Sequence, residues 1–226
     1  GFQLDADGIL GAVTERTKYI IICTPNNPTG NDLKQTDIDR IVREAPCLVV
    51  IDEAYSEFSG TSYAHYVDKY PNVLVFRTMS KFAGLAGMRV GYALVPKAMV
   101  PHFENIIQPT HNVSAVSAEA AIASLNDLDY LTGVIEQIRS SRDELAANLR
   151  EIPGVAPYPS ATNFLLVKLP VDDAGSVVAQ LAERSILVRH FGDPGLGLGT
   201  CLRVTIGAPE ENERFLRELA DILEAV

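Results

Sequence analysis

Val73-Leu74-Val75-Phe76-Arg77-Thr78-Met79-Ser80-Lys81-Phe82-Ala83-Gly84-Leu85-Ala86-Gly87-Met88-Arg89 is the stretch on which the reading of this chain turns. Its first four residues form a short apolar run of the kind that makes a strand buried on both faces. Hydroxyl side chains and Lys81 follow, and then a Gly/Ala-rich apolar segment. A lone lysine is usually a solvated loop residue. These flanks instead predict burial, which disfavours the ammonium form and lowers its pKa. An amine poised in that way can attack a carbonyl carbon.

Two more segments have the same build. Tyr19-Ile20-Ile21-Ile22-Cys23 leads into Thr24-Pro25-Asn26-Asn27-Pro28-Thr29-Gly30, and Cys47-Leu48-Val49-Val50-Ile51 leads into Asp52-Glu53-Ala54-Tyr55. In open parallel sheets, ligands bind beyond the carboxyl ends of the strands. The three segments therefore predict an amide (Asn27), a carboxylate (Asp52), a phenol (Tyr55), two hydroxyls (Thr78, Ser80) and an amine (Lys81) at one sheet edge. Residues 90–95 follow Lys81 too closely for a helical crossover, so that strand is expected to run antiparallel.

The 226 residues are 47% hydrophobic and 21% charged, which suits a globular protein of one or two domains. No apolar run reaches membrane-spanning length, so no membrane partner is expected. Cys23, Cys47 and Cys201 are far apart and read as buried thiols of a reducing cytoplasm, the expected location. His65, His102, His111 and His190 lack metal-ligand spacing, and no metal is expected. A net charge of −10 without basic clusters argues against nucleic acid. An anionic cofactor or substrate would then need local cations, for which Lys81, Arg89, Arg189 and Arg203 are candidates.

With Arg89 eight residues after Lys81 and Arg203 near the end, the order of motifs resembles the aspartate aminotransferase-like, fold type I enzymes that use pyridoxal 5'-phosphate (PLP). The likeness covers the chain from about Thr17 onward. It runs to the histidinol-phosphate aminotransferases and their aromatic aminotransferase relatives. The resemblance implies an α/β fold: a three-layer PLP-transferase large domain with an incomplete, mostly parallel sheet over residues 1–140, and a small α+β domain over residues 141–226. It implies a homodimer whose sites borrow residues from the partner. Family members carry a long N-terminal stretch with a glycine-rich loop and a ring-stacking aromatic, so a chain opening on Gly1 is expected to be a fragment.

What the resemblance implies for each residue can be set beside a plainer alternative. Lys81 matches the amine that forms the imine and later shuttles a proton at the substrate α-carbon. Asp52 matches the carboxylate that keeps the pyridine nitrogen protonated; otherwise it is a helix N-cap. Asn27 and Tyr55 match the groups bonded to the ring oxygen; otherwise they are a turn residue and a core tyrosine. Thr78, Ser80 and Arg89 match the phosphate ligands; otherwise they are a Ser/Thr turn and a surface ion pair. Arg203 is a charge inside an apolar strand, costly unless paired, and matches the arginine that clamps a substrate carboxylate. Arg189 matches a second arginine of the histidinol-phosphate branch, and two arginines could hold a substrate phosphate. Asn163 is a weaker substrate-binding candidate beside a structural-turn reading. The resemblance also implies a cis Asn27–Pro28 bond.

The expected activity is a PLP-dependent aminotransferase acting on histidinol phosphate and 2-oxoglutarate, in histidine biosynthesis. An aromatic amino acid aminotransferase is the alternative, and a non-catalytic module that senses PLP or an amino acid is a second. A generic nucleotide-binding domain lacks support, because no Gly-x-Gly-x-x-Gly follows a strand.

Periodicity supplies the remaining elements. Helices are expected over 36–45 (with Thr36 and Asp39 as a cap), 113–126, 131–149, 174–184 and 209–224. Strands are expected over 163–168, 186–189 and 201–206. Residues 56–69 read as a polar excursion, and Gly84 and Gly87 as sites of close backbone packing. The small residues of 113–126 suggest packing at a domain or subunit junction.

Overall fold

A computed structural model describes residues 2–109 and 111–225. It divides into two compact units, one of Gly1–Asn27 with Asp32–Gly133, the other of Pro28–Asn31 with Val134–Val226.

The first unit is built on four strands in the order β1 (Tyr19–Cys23), β2 (Leu48–Asp52), β3 (Val73–Thr78) and β4 (Gly91–Leu94). β1, β2 and β3 are parallel, and β4 returns antiparallel to β3 as its short connection requires. α1 (Ala6–Gly11) starts at Asp5, whose Oδ1 accepts from the Gly8 N–H at 2.9 Å. α2 (Gln35–Glu44) turns Ile38, Ile41 and Val42 onto one sheet face, where they meet Ile22, Val49, Ile51, Val73 and Val75. The opposite face alternates with it, as a pleat of period two demands. It carries Tyr19 and Ile21, 58% and 61% exposed. With Leu48, Val50, Leu74 and Phe76 they line a concavity of about 370 Å³, and Asp52 closes its carboxyl end.

Three local expectations fail here. The α2 cap does not form: Lys34 holds the N-cap position, and Asp39 accepts the Tyr66 hydroxyl instead. Residues 56–69 bury Phe58, Tyr63 and Tyr66, with the Tyr63 and Tyr66 rings edge-to-face at 5.1 Å. Aromatic rings fill core space even when their neighbours are polar. The cis peptide bond is Thr24–Pro25 rather than Asn27–Pro28; both are X-Pro bonds, so composition cannot choose between them.

α3 (Ala115–Leu125) is capped by Ser114, whose Oγ accepts from the Ser117 N–H at 3.1 Å. The unit boundary falls inside α4 (Leu128–Arg150). The second unit holds an antiparallel sheet in the order β5 (Ala156–Pro157), β6 (Phe164–Lys168), β8 (Cys201–Thr205), β7 (Arg189–His190). One face packs Leu165, Val167, Leu202 and Val204 against Leu145 and Leu149 of α4, Val177 and Leu181 of α5 (Gly175–Glu183), and Phe215, Leu219 and Ile222 of α6 (Pro209–Glu224). Pro209 opens α6 at a position whose N–H has no intrahelical partner, and Glu211 Oε2 accepts from the Ala208 N–H at 2.8 Å. β7 starts later than expected. Ser185 adopts φ +61° and the Ile186 N–H bonds back to the Leu181 carbonyl, so the chain is still ending α5 where periodicity suggests a strand. Among the described residues, no helix is long and apolar enough to cross a membrane.

Candidate active site

Register brings the three motifs of the first unit level. Cys23 pairs with Asp52, and Asp52 with Phe76, so β1 and β2 end level and β3 runs two residues further, to Thr78. Asn27 lies four residues past the end of β1, Tyr55 three past β2, and Lys81 three past β3. The cluster is thus a product of strand direction and register: parallel strands deliver their loops to one edge.

Lys81 Nζ sits 5.6 Å from the centroid of the buried Tyr55 ring, within cation–π range. Lys81 itself is exposed, which corrects the expectation of a buried amine. Its neighbours explain the difference. Met79 and Phe82 take the inward positions, and the Leu85 N–H to Met79 carbonyl bond at 3.1 Å closes the loop around them, leaving Lys81 outward. Gly84 serves the same loop by adopting φ +66°. The close packing expected of Gly84 and Gly87 is not found: an added Cβ would meet nothing within 4 Å at either.

Asp52 is half-buried, and its Oδ1 accepts from the Ala54 N–H at 3.0 Å, a short turn that leads the chain toward Tyr55. Beside it lies Cys23, whose thiol is pushed up by burial, down by the Asn27 backbone and up again by the Asp52 charge, for a net rise. The Asn27 backbone and the Asp52 carboxylate thus both act on the Cys23 thiol. Thr78 is partly spent locally: its Oγ1 donates to the Val90 carbonyl at 3.3 Å and accepts from the Ser80 N–H at 3.1 Å. That is the Ser/Thr turn of the plainer reading, and it fixes Ser80 next to Lys81. Arg89 adopts φ +56°, is exposed, and uses Nη1 on the Ala86 carbonyl at 2.9 Å.

The sequence reading missed the strongest polar contact at this edge. Glu53, directly after Asp52, is fully buried, and its Oε2 accepts from Arg77 Nε at 2.9 Å and Nη2 at 2.8 Å. Oε1 accepts from the Tyr63 N–H, and Arg77 Nη2 also donates to Ser62 Oγ at 2.6 Å. Burial lowers the Arg77 pKa, and the Glu53 carboxylate together with Tyr92 raises it by more. The pair joins the end of β2 to β3 beneath the candidate residues. Its signal was available: a glutamate and an arginine each adjoin an apolar run, where an unpaired charge is costly.

The second unit carries the remaining candidates. Arg189 and Arg203 are direct cross-strand partners in β7 and β8, so they share a sheet face. It is the face opposite the helices, because Leu202 and Val204 alternate onto the core. The Arg203 guanidinium lies 4.9 Å from the Phe164 ring centroid. Asn163 precedes β6, accepts from the Ile206 N–H at 2.9 Å through its carbonyl, and is out of phase with Phe164 in the pleat. That bond extends the β6–β8 ladder by one residue.

A fit to PLP can be tested on the donor set. An amine, a carboxylate, a phenol, an amide and two hydroxyls converge at one edge, and Arg89 has four of its five guanidinium N–H donors beyond the one on Ala86. Those are the group types that an aldehyde, a ring nitrogen, a ring oxygen and a phosphate require, so the residues present fit the group.

The family model described as Aminotransferase class I and II matches residues 1–219. The histidinol-phosphate aminotransferase of Roseiflexus castenholzii is 40% identical over 98% of the chain and 60% of its own length. The crystal structure of histidinol-phosphate aminotransferase from Sinorhizobium meliloti in complex with PLP aligns with a TM-score of 0.87 at 31% identity, over 98% of this chain and 62% of that one. The crystal structure of the Clostridium acetobutylicum histidinol-phosphate aminotransferase aligns with a TM-score of 0.90 at 24% identity, over 99% and 69%. The chain spans about 60% of the length of the curated relatives it matches.

Proposed function

The chain belongs to the class I and II aminotransferases, and on that premise we propose that the full-length protein is a PLP-dependent aminotransferase with histidinol phosphate as amino donor and 2-oxoglutarate as acceptor. The observation that carries the substrate reading is the register pairing of Arg189 with Arg203. Like charges directly opposite each other destabilise a strand pair. A bound phosphate dianion reverses the sign, and guanidinium forks match its oxygens. Histidinol phosphate offers such a group and no carboxylate.

When bound, PLP supplies an aldehyde and an electron-withdrawing ring that stabilises negative charge at the carbon losing its proton. In this reading Lys81 Nζ holds the cofactor and later moves the proton at the substrate carbon that bears nitrogen. The Asp52 carboxylate holds the proton on the ring nitrogen. Asn27 and Tyr55 orient the ring oxygen, and Thr78, Ser80 and Arg89 hold the cofactor phosphate. Arg189 and Arg203 bind the anionic end of the substrate. A homodimer belongs to the same reading, supported by Val116, Ile122 and Leu125 of α3, which are all exposed.

Steady-state kinetics of the full-length protein with histidinol phosphate and with phenylalanine, each against 2-oxoglutarate, tests the proposal. Histidinol phosphate should be preferred, and Lys81→Ala should abolish turnover. A hundredfold preference for phenylalanine would overturn the substrate. Wild-type turnover by Lys81→Ala would overturn the site.

A further inference from the structure

Arg203 is a long, half-buried side chain, and it faces a like charge across the strand pair. Repulsion from Arg189 works against a fixed orientation of the guanidinium. The structure supplies a platform against that. In the β6–β8 register Arg203 is opposite Leu166, and Phe164 is opposite Thr205, so Phe164 and Arg203 are diagonal neighbours on one face. The Arg203 guanidinium carbon lies 4.9 Å from the Phe164 ring centroid. The ring is 3% exposed, so it is a fixed surface rather than a mobile one.

The backbone under that ring is held by several hydrogen bonds. The Phe164 N–H donates to Thr162 Oγ1 at 3.2 Å. Its carbonyl accepts from two hydroxyls, Ser160 Oγ at 2.6 Å and Thr162 Oγ1 at 3.1 Å. Thr162 is fully buried, and its own carbonyl accepts from Arg142 Nη1 at 3.2 Å. Behind Ser160 stands Gly30, whose carbonyl accepts from the Ala161 N–H at 2.7 Å. A Cβ on Gly30 would lie 2.8 Å from Ser160 Oγ, so the approach requires glycine. These bonds fix the backbone position from which the Phe164 ring projects, and burial holds the ring itself.

We infer that Phe164 is a positioning residue, holding the Arg203 guanidinium over its ring face so that the outer edge of the fork is presented to the substrate's anionic group. The inference rests on the reading that Arg203 binds that group. The ring touches no reacting atom in this scheme; it acts through the arginine. Its effect therefore belongs to the affinity for the anionic substrate and not to the chemical step, and it should follow the electron density of the ring face.

Graded fluorination separates this from packing, because it withdraws density from the face while changing ring volume little. Full-length enzyme carrying phenylalanine, 4-fluorophenylalanine or 3,4,5-trifluorophenylalanine at position 164 alone is assayed with histidinol phosphate, and inorganic phosphate is titrated as competitor. KM and the phosphate Ki should rise together along the series, by about threefold to tenfold at the trifluoro step, with kcat within about twofold. A flat KM across the series overturns the inference, as does a fall in kcat at constant KM. Arg203→Ala distinguishes the two levels. If it leaves KM and the phosphate Ki unchanged, the underlying anion-site reading fails. If it raises both while the fluorinated series stays flat, only the role of Phe164 fails.

Discussion

Glu53→Ala should be among the most damaging substitutions in the first unit, although Glu53 carries none of the proposed chemistry. The carboxylate is fully buried and accepts from both Arg77 Nε and Nη2, from the Tyr63 N–H and, at 3.4 Å, from Ser62 Oγ. Truncation leaves a guanidinium, 20% exposed, without its counter-charge, and a buried N–H without an acceptor. Removing one partner of a buried pair costs about 3–5 kcal/mol. The residual exposure of Arg77 places the expected loss near the lower end, about 3 kcal/mol. With a urea m-value of roughly 2–3 kcal/mol/M, the midpoint should fall by about 1 M. The chain contains no tryptophan, so tyrosine fluorescence and far-UV circular dichroism are the two probes, and they must coincide for the difference to be read as a free energy. The double variant Glu53→Leu/Arg77→Met should recover the part of the loss that comes from the unpaired guanidinium, while the Tyr63 N–H still lacks its acceptor. A fall in midpoint below about 0.3 M for Glu53→Ala, at unchanged m, would falsify the claim that this pair supports the sheet edge.

Gly30→Ala should destabilise by about 1–2 kcal/mol from its φ of +80° alone, and by more from the clash with Ser160. In a Ser160→Gly background the clash component should vanish; an unchanged cost in urea melts would contradict the close approach. The Cys23 thiol, raised by burial, should resist iodoacetamide at neutral pH and react only as pH climbs past the ordinary thiol range, read by peptide mass mapping; rapid labelling at pH 7 would count against its placement beside Asp52. The Tyr63 hydroxyl is pushed up to about 12, first by burial and then by the charges of Asp32, Asp39 and Glu53. A raised folded pKa stabilises below the unfolded value, so this contribution is present up to about pH 10 and is lost as pH rises from there toward 12. Tyr63→Phe should flatten the alkaline stability profile across that window, and an unchanged slope would show that Tyr63 is not its source.

The elements legible in the sequence are those with one dominant cause. β1, β2 and β3 are apolar runs that form the parallel part of one sheet, although β1 lies at its edge with Tyr19 and Ile21 exposed rather than buried on both faces, and α6 begins at Pro209 because proline there costs nothing. The antiparallel turn of β4 follows from chain length alone. What could not be read depends on partners distant in sequence. Asp39 looks like a capping residue until Tyr66 claims it, 27 positions on. Residues 56–69 look polar because their aromatic anchors are spaced by serines and acids. The start of β7 is displaced because the end of α5 consumes Ile186. Lys81 shows the same limit at the candidate site. Its apolar flanks were read as a sign of its own burial, whereas they bury themselves and push it outward.

The two groups of candidate residues are built on opposite principles, and this bears on how each tolerates change. In the first unit every candidate sits in or at the mouth of a loop past a strand end, held by turns such as Asp52 to Ala54 and Thr78 to Ser80. Such loops can exchange side chains without disturbing the ladder beneath them, provided that Glu53 and Arg77 keep the strand ends together. In the second unit the two arginines are part of the ladder itself, so their spacing is set by strand register rather than by a loop. A one-residue slip would carry both onto the helix-covered face, into an apolar core where neither charge could be solvated. The same apolar alternation that stabilises the sheet therefore fixes the arginine pair. A bound anion would in turn relieve the repulsion between them, so at this site stability and recognition depend on one register.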